Sequence, residues 1–174
     1  DAVAGDLLQF LYSRQLPDGG FAYWPGNHKS DTWVSSMAGQ FMTKAASKGY
    51  AVDKGILNGW KKYQNKALKA YRHSGRYDLN DLDQAYRLYT LALAGSPDNG
   101  AMNRLKESLS SSDQAKWMLA SAYSLCGKKS IASEMLSGTS TDISTYPEAD
   151  KTFGSAVRDK ALALEAYILA DDLT

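Results

Sequence analysis

A single cysteine, Cys126, permits no internal disulfide in a chain of 174 residues. It says little about compartment, because exported bacterial proteins are often cysteine-poor. No apolar run approaches the ~20 residues that span a bilayer. Neither sign of charge is in excess: 20 Lys and Arg stand against 19 Asp and Glu, a formal +1. Phosphate binding needs a concentrated basic face, so this total makes no case for nucleic acid or for an anionic membrane. The opening residues, Asp1-Ala2-Val3-Ala4-Gly5-Asp6, lack the basic and apolar regions of a signal peptide. A mature or trimmed chain opens the same way, so export stays open.

Catalytic chemistry is equally scarce. The two histidines, His28 and His73, are isolated in sequence, and neither sits at i, i+4 from another ligand type. Exposed loop histidines are the simpler reading, and no metal is expected. There is no Gly-x-Ser-x-Gly, P-loop or dinucleotide fingerprint, so no nucleotide or other cofactor is expected and the chain reads as a non-enzyme. Asp78-Leu79-Asn80-Asp81-Leu82-Asp83 looks like a calcium loop but has Leu82 at a ligand position and Asp83 at the glycine position. Helix capping by Asn80 or Asp81 accounts for it better. Cys126 falls at a helix end, where the dipole works against a thiolate, and reads as a small buried hydrophobe.

What the chain does have is helical periodicity and aromatics, with eleven tyrosines and four tryptophans. Trp24, Trp33, Trp60 and Trp117 read as core before they read as a ligand cleft. The apolar period is 3.6 throughout. Residues 4–15 form a first helix with Ala4, Leu7, Leu8 and Leu11 on one face. Asp31 caps a second over 32–48, with the stripe Val34, Met37, Ala38, Phe41 and Ala45 and a stop at Gly49. Asp53 caps a third, with Ile56, Leu57, Trp60, Tyr63, Ala67, Leu68 and Tyr71 inward, ended by the polar turn His73-Ser74-Gly75-Arg76. A fourth covers 81–94 with Leu82, Ala85, Leu88, Tyr89 and Ala92 inward, stopped by Gly95 and Pro97.

Shorter helices follow. One spans 99–109, with Met102, Leu105 and Leu109. The next starts at Ser112 or Asp113, buries Met118, Ala122 and Leu125, and stops at Gly127. Another spans 129–137. Residues 139–152 are a polar loop, the most flexible stretch expected. Ser155 caps a last helix with Val157, Ala161, Leu164 and Ile168 inward. Short connections make sequential helices antiparallel neighbours, so the fold class is all-α, built of antiparallel helix pairs, with no strand longer than Phe21 to Trp24. The length fits one domain, 1–174, or a piece of one.

Between the first two helices lies Gln15-Leu16-Pro17-Asp18-Gly19-Gly20-Phe21-Ala22-Tyr23-Trp24-Pro25-Gly26, then Trp33. Pro17, Asp18, Gly19 and Gly20 are turn chemistry. Three large aromatics follow at once, which a solvated linker would not carry. The loop is therefore expected to fold back, with Gly19 and Gly20 in conformations that a Cβ resists and Phe21 and Trp24 anchored on neighbouring helices.

Three segments in order resemble the thioester-containing helical domain of bacterial alpha-2-macroglobulins. The first runs from Gln15 to Gly49 and holds the Asp18-Gly19-Gly20-Phe21 turn, Trp24-Pro25-Gly26 and Trp33. The second runs from Asp83 through Gly95 to Met102-Asn103-Arg104-Leu105. The third runs from Trp117 to Lys128, then Phe153-Gly154-Ser155 and Arg158-Asp159-Lys160-Ala161-Leu162. On this resemblance Gln15, Asp18, Gly19, Gly20, Phe21, Trp24, Trp33, Arg158 and Asp159 form a structural signature.

The resemblance implies an α/α toroid cut from a larger protease-trapping inhibitor of the cell envelope, periplasmic or extracellular. It implies target proteases as partners of the full-length protein and macroglobulin-like β domains as neighbours in the same chain. The family's Cys-x-Glu-Gln thioester motif is missing: Cys126 is followed by Gly127-Lys128-Lys129. By family order that motif lies upstream of Asp1. In complement relatives a histidine downstream of the thioester steers acyl transfer. His73 lies in that neighbourhood, but its spacing to the following helix differs, so it stands only as a thioester-proximal candidate. Two other readings are a tetratricopeptide-like binding scaffold, suggested by Leu119-Ala120-x-Ala122-Tyr123, and a carbohydrate-active or cyclase-type toroid.

Overall fold

The computed structural model describes residues 2–73, 79–109, 112–146 and 152–171. Among them are eight helices and no strand beyond isolated bridges. The chain divides into two compact units, Asp1–Ala70 and Tyr71–Thr174.

The first unit holds α1 (Ala2–Tyr12), α2 (Thr32–Ser47) and α3 (Lys54–Ala70), with α2 packed on both others. The caps lie where the sequence places them. Asp31 accepts from the Val34 amide at 2.9 Å and Asp53 from the Ile56 amide at 2.9 Å, each filling an orphan donor of a first turn. Trp60 is wholly buried, and its indole N–H donates to the Ser35 carbonyl at 2.7 Å. Gly39 makes the room: a Cβ there would lie 2.0 Å from the Trp60 ring.

That close packing turns α2. Its buried residues are Trp33, Ser35, Ser36, Ala38, Gly39, Met42 and Ala45. Met37 and Phe41, expected inward, are exposed, because the face that admits Trp60 must be made of small residues. On α1, Leu8 is buried and Leu7 is not. On α3 the buried residues are Trp60, Gln64 and Leu68, and Tyr71 lies past the helix end.

The second unit holds α4 (Leu79–Leu93), α5 (Asn99–Ser108), α6 (Asp113–Leu125), α7 (Lys129–Ser137) and α8 (Ala156–Ala170). Helix α6 packs against all four others and is buried continuously from Trp117 to Ser124. A helix buried on every side is apolar nearly all round, and the buried run of this one is Trp, Met, Leu, Ala and Tyr with two serines, of which Ser121 donates to the Trp117 carbonyl at 2.9 Å. Ser112 caps it, accepting from the Ala115 amide at 3.2 Å. At its other end Gly127 takes φ +73°, and the Lys128 amide closes on the Tyr123 carbonyl at 2.9 Å, a left-handed stop that glycine adopts without a Cβ clash.

Two expectations change in this unit. Helix α4 begins at Leu79, so neither Asn80 nor Asp81 is its cap; Asp81 sits in the first turn, near the positive helix end. On α8 the expected inward stripe faces out: Val157, Leu164 and Ile168 are exposed. Buried instead are Ala156, Asp159, Ala163, Ala166 and Ala170. Alanines let α8 approach α6 and α7 closely, and a buried carboxylate fixes the rotation of the helix. Ser155 caps it as expected, accepting from the Arg158 amide at 3.2 Å.

Candidate functional site

The Gln15–Phe21 turn is built from its own polar groups. The Gln15 amide nitrogen donates to the Gly19 carbonyl at 3.0 Å and to the Ile56 carbonyl at 2.8 Å, tying the turn to α3. Asp18 accepts from the Gly20 amide at 2.9 Å and the Ser30 hydroxyl at 2.7 Å. Phe21 is wholly buried; its N–H donates to the Ser35 hydroxyl at 2.8 Å, and its carbonyl accepts from Asp31 N–H at 2.9 Å. Isolated bridges join Phe21 to Gln15 and to Asp31. Trp33 is buried beside them.

The two glycines are constrained differently. Gly19 has φ +89°, and a Cβ there would meet the Gly59 carbonyl oxygen at 2.1 Å. Gly20 is not in the left-handed region. It is held by contact alone, with Ser30 Oγ 2.4 Å and a Tyr63 ring carbon 2.7 Å from the place of its Cβ. Gly19→Ala is expected to cost on the order of 1–3 kcal/mol, since the obstacle is backbone that cannot swing away. Urea unfolding measures it, and an unchanged midpoint would mean that the turn shifts freely off α3.

Trp24 corrects an expectation. It is 64% exposed and touches Tyr23 edge-on, with ring centroids 5.0 Å apart. Phe21 supplies the anchor that was expected of both. Trp24→Ala is therefore expected to change stability by no more than about 0.5 kcal/mol, the usual range for surface positions. A loss of several kcal/mol in the same urea assay would show that the ring is in fact packed.

In the second unit Arg158 and Asp159 form a buried polar centre. Asp159 is fully buried. Its Oδ1 accepts from Arg158 Nε at 2.9 Å and Nη2 at 2.7 Å; its Oδ2 accepts from Gln114 at 2.9 Å and the Tyr146 hydroxyl at 2.7 Å. Arg158 Nη1 also donates to the Thr152 carbonyl and hydroxyl, at 2.8 and 2.9 Å. The sequence offered no signal for Gln114, Tyr146 or Thr152 as partners, because they are distant in the chain or lie in a stretch without periodicity. Ser140 N–H donates to Asp113 at 3.1 Å. The polar loop 139–152, expected to be the most flexible stretch, is thus tied down at Ser140, Tyr146 and Thr152; residues 147–151 of it lie outside the described residues. A cleft of about 220 Å³ opens here, lined by Asp113, Gln114, Trp117, Asp142, Tyr146 and Asp159 among others.

His73 Nδ1 lies 3.2 Å from Asp81 Oδ1, which also accepts from the Tyr71 hydroxyl at 2.6 Å. The rest of the turn expected at 73–76 lies outside the described residues. Cys126 is half-buried. Burial pushes its thiol up, and Lys128 offsets that only in part, so it stays a thiol at neutral pH. Burial likewise pushes the adjacent Tyr123 phenol up to about 12, with Glu107 and Cys126 adding to the shift. Among the described residues, no group of three or more His, Cys, Asp or Glu side chains could hold a metal ion. None of their helices is long and apolar enough to cross a membrane.

No protein-family profile matches the chain. Over 142 residues, 77% of its length, it is 28% identical to an alpha-2-macroglobulin homolog of Yersinia pestis. Over 72 residues it is 41% identical to an alpha-2-macroglobulin homolog of a Nostoc species. It spans 7% and 4% of the lengths of those two proteins. Native Escherichia coli alpha-2-macroglobulin superposes with a TM-score of 0.73 at 22% identity, over 92% of this chain and 11% of that one. The same protein activated by porcine elastase gives 0.76 at 21%, over 96% and 16%. Salmonella alpha-2-macroglobulin reacted with methylamine gives 0.71 at 18%, over 94% and 12%. The chain thus shares its all-α fold with a segment of bacterial alpha-2-macroglobulins, which it also resembles in sequence.

Proposed function

We propose that this chain is part of a bacterial alpha-2-macroglobulin-like protease trap, as the helical domain that shelters the thioester. The fold likeness over 92–96% of the chain is the observation that carries the reading. It favours this function over the tetratricopeptide and carbohydrate-enzyme alternatives. Both units then belong to one α/α-toroid domain, with the Gln15–Phe21 turn and the Arg158–Asp159 centre as its structural signature. On this reading any reactive Cys-x-Glu-Gln of the parent belongs outside this chain, whose single cysteine is followed by Gly127-Lys128-Lys129. Cys126, a half-buried thiol at a helix C-terminus, is suited to packing rather than acyl chemistry.

On this reading the protein is an inhibitor and not an enzyme. It works in the cell envelope, periplasmic or extracellular, beside macroglobulin-like β domains of the same chain. Burial against an aromatic helical body keeps water and amines from the thioester until a protease cuts the bait region. The expected result is a covalent, high-mass protease adduct of the full-length protein on a reducing denaturing gel. Methylamine should react slowly with the intact protein, faster after proteolysis, and should suppress the adduct when added first. No adduct with several proteases, from a parent that carries Cys-x-Glu-Gln, would refute covalent trapping.

A further inference from the structure

The near-neutral total conceals a segregation of charge. Residues 1–70 hold nine Lys and Arg against five Asp and Glu, while residues 71–174 hold eleven against fourteen. In the first unit the excess sits on one helix. Helix α3 carries Lys54, Lys61, Lys62, Lys66 and Lys69 and no carboxylate. Three of the unit's acidic side chains, Asp18, Asp31 and Asp53, are engaged as turn and cap acceptors. At 3.6 residues per turn the five lysines fall within an arc of roughly 140°, along about 22 Å of helix. Trp60, Gln64 and Leu68 mark the buried side. Lys54, Lys62, Lys66 and Lys69 are exposed. With Asn58, Lys61 and Asn65, the last three of these line a shallow open depression.

We propose that this face of α3 docks on an anionic phospholipid bilayer. Sequence composition argued against an anionic surface because the whole-chain charge is near zero; the helix supplies the concentrated basic face that the total hides. Long, flexible lysine side chains gathered on one face of a helix reach a planar surface together. The face holds Lys, Asn and Gly55, with no Trp, Phe or Leu to insert, so the contact is electrostatic and superficial. It also lacks the Arg forks and aromatic platforms by which nucleic-acid binders read and stack bases. Each lysine near such a surface strengthens binding about fivefold, so the set gives reversible, salt-sensitive adhesion. The inference rests on the charge of α3 and not on the protease-trap reading.

The test is co-sedimentation of this chain with vesicles of 30:70 phosphatidylglycerol–phosphatidylcholine and with vesicles of phosphatidylcholine alone, at low and high salt. Binding is expected only to the anionic vesicles at low salt. Lys62→Glu with Lys66→Glu should weaken it at least about tenfold while leaving the helical circular dichroism unchanged. Lys129→Glu with Lys160→Glu makes the same charge change on the second unit and should leave binding intact. No binding to anionic vesicles, or equal loss in both double variants, would overturn the proposal. So would retention on double-stranded DNA, lost with the α3 pair, in a chain that ignores the vesicles. The protease-adduct experiment is independent of all these outcomes.

Discussion

Trp60→Ala is expected to cost about 3–5 kcal/mol, the range for deleting a fully buried large aromatic. The indole is wholly buried between α2 and α3, over Gly39. Its removal leaves a void that the backbone on either side fills only in part. It also strips the Ser35 carbonyl of a donor at 2.7 Å, and a buried acceptor left without a partner adds to the loss. Trp60→Phe should fall between wild type and Ala, because it restores most of the volume but not the N–H. The measurement is urea unfolding followed by circular dichroism. A lower midpoint at unchanged slope is expected, which reports stability rather than a change in the unfolded chain. A midpoint shift no larger than that of Trp24→Ala would mean that the gap closes without strain.

The second large effect belongs to Asp159. Its carboxylate is fully buried and accepts four hydrogen bonds from Arg158, Gln114 and Tyr146. Asp159→Ala is expected to cost about 3–5 kcal/mol, because breaking a buried pair leaves a desolvated charge and unpartnered donors behind. Arg158→Ala should act in the same direction, and the two together should cost less than their sum, since either one already breaks the shared pair. Because Tyr146 and Thr152 tie the 139–152 loop to this centre, the variants should also be cut faster in that loop by a trace protease at native temperature. Stability within 1 kcal/mol of wild type, or cleavage elsewhere first, would show that the loop is held by other means.

Helix existence and caps were legible because they are local. Asp31, Asp53, Ser112 and Ser155 each meet an amide three residues on, and Gly49 and Gly127 each take the positive φ that ends a helix. The Gln15–Phe21 turn was legible in part for the same reason: the bonds that close it, from Gln15 to the Gly19 carbonyl and from the Gly20 amide to Asp18, are local, while its ties to Ser30, Asp31, Ser35 and Ile56 reach further along the chain. The start of α4 was placed late because Asp81 is as good a cap in sequence as any neighbour, and only its hydrogen bonds to Tyr71 and His73 show another use.

Periodicity gave the wrong side of α8 and part of α2. A 3.6-residue apolar stripe sends large apolar residues inward, but close helix contacts select small ones. Ala156, Ala163, Ala166 and Ala170 face in while Val157, Leu164 and Ile168 face out, and Gly39 faces in while Phe41 does not. Gln114 and Tyr146 could not have been named as partners of Asp159, since they lie 45 and 13 residues from it in sequence. From sequence alone, then, come the all-α class, the capped helix ends at Asp31, Asp53, Ser112 and Ser155, the polar turn and the likeness to alpha-2-macroglobulins, because each rests on nearest-neighbour geometry or on residues in order. Tertiary structure alone decided which tryptophan is left exposed, which face of α8 is buried and where the Arg158–Asp159 pair finds its partners. Burial is set by what packs against a residue from far along the chain, and no local pattern carries that information.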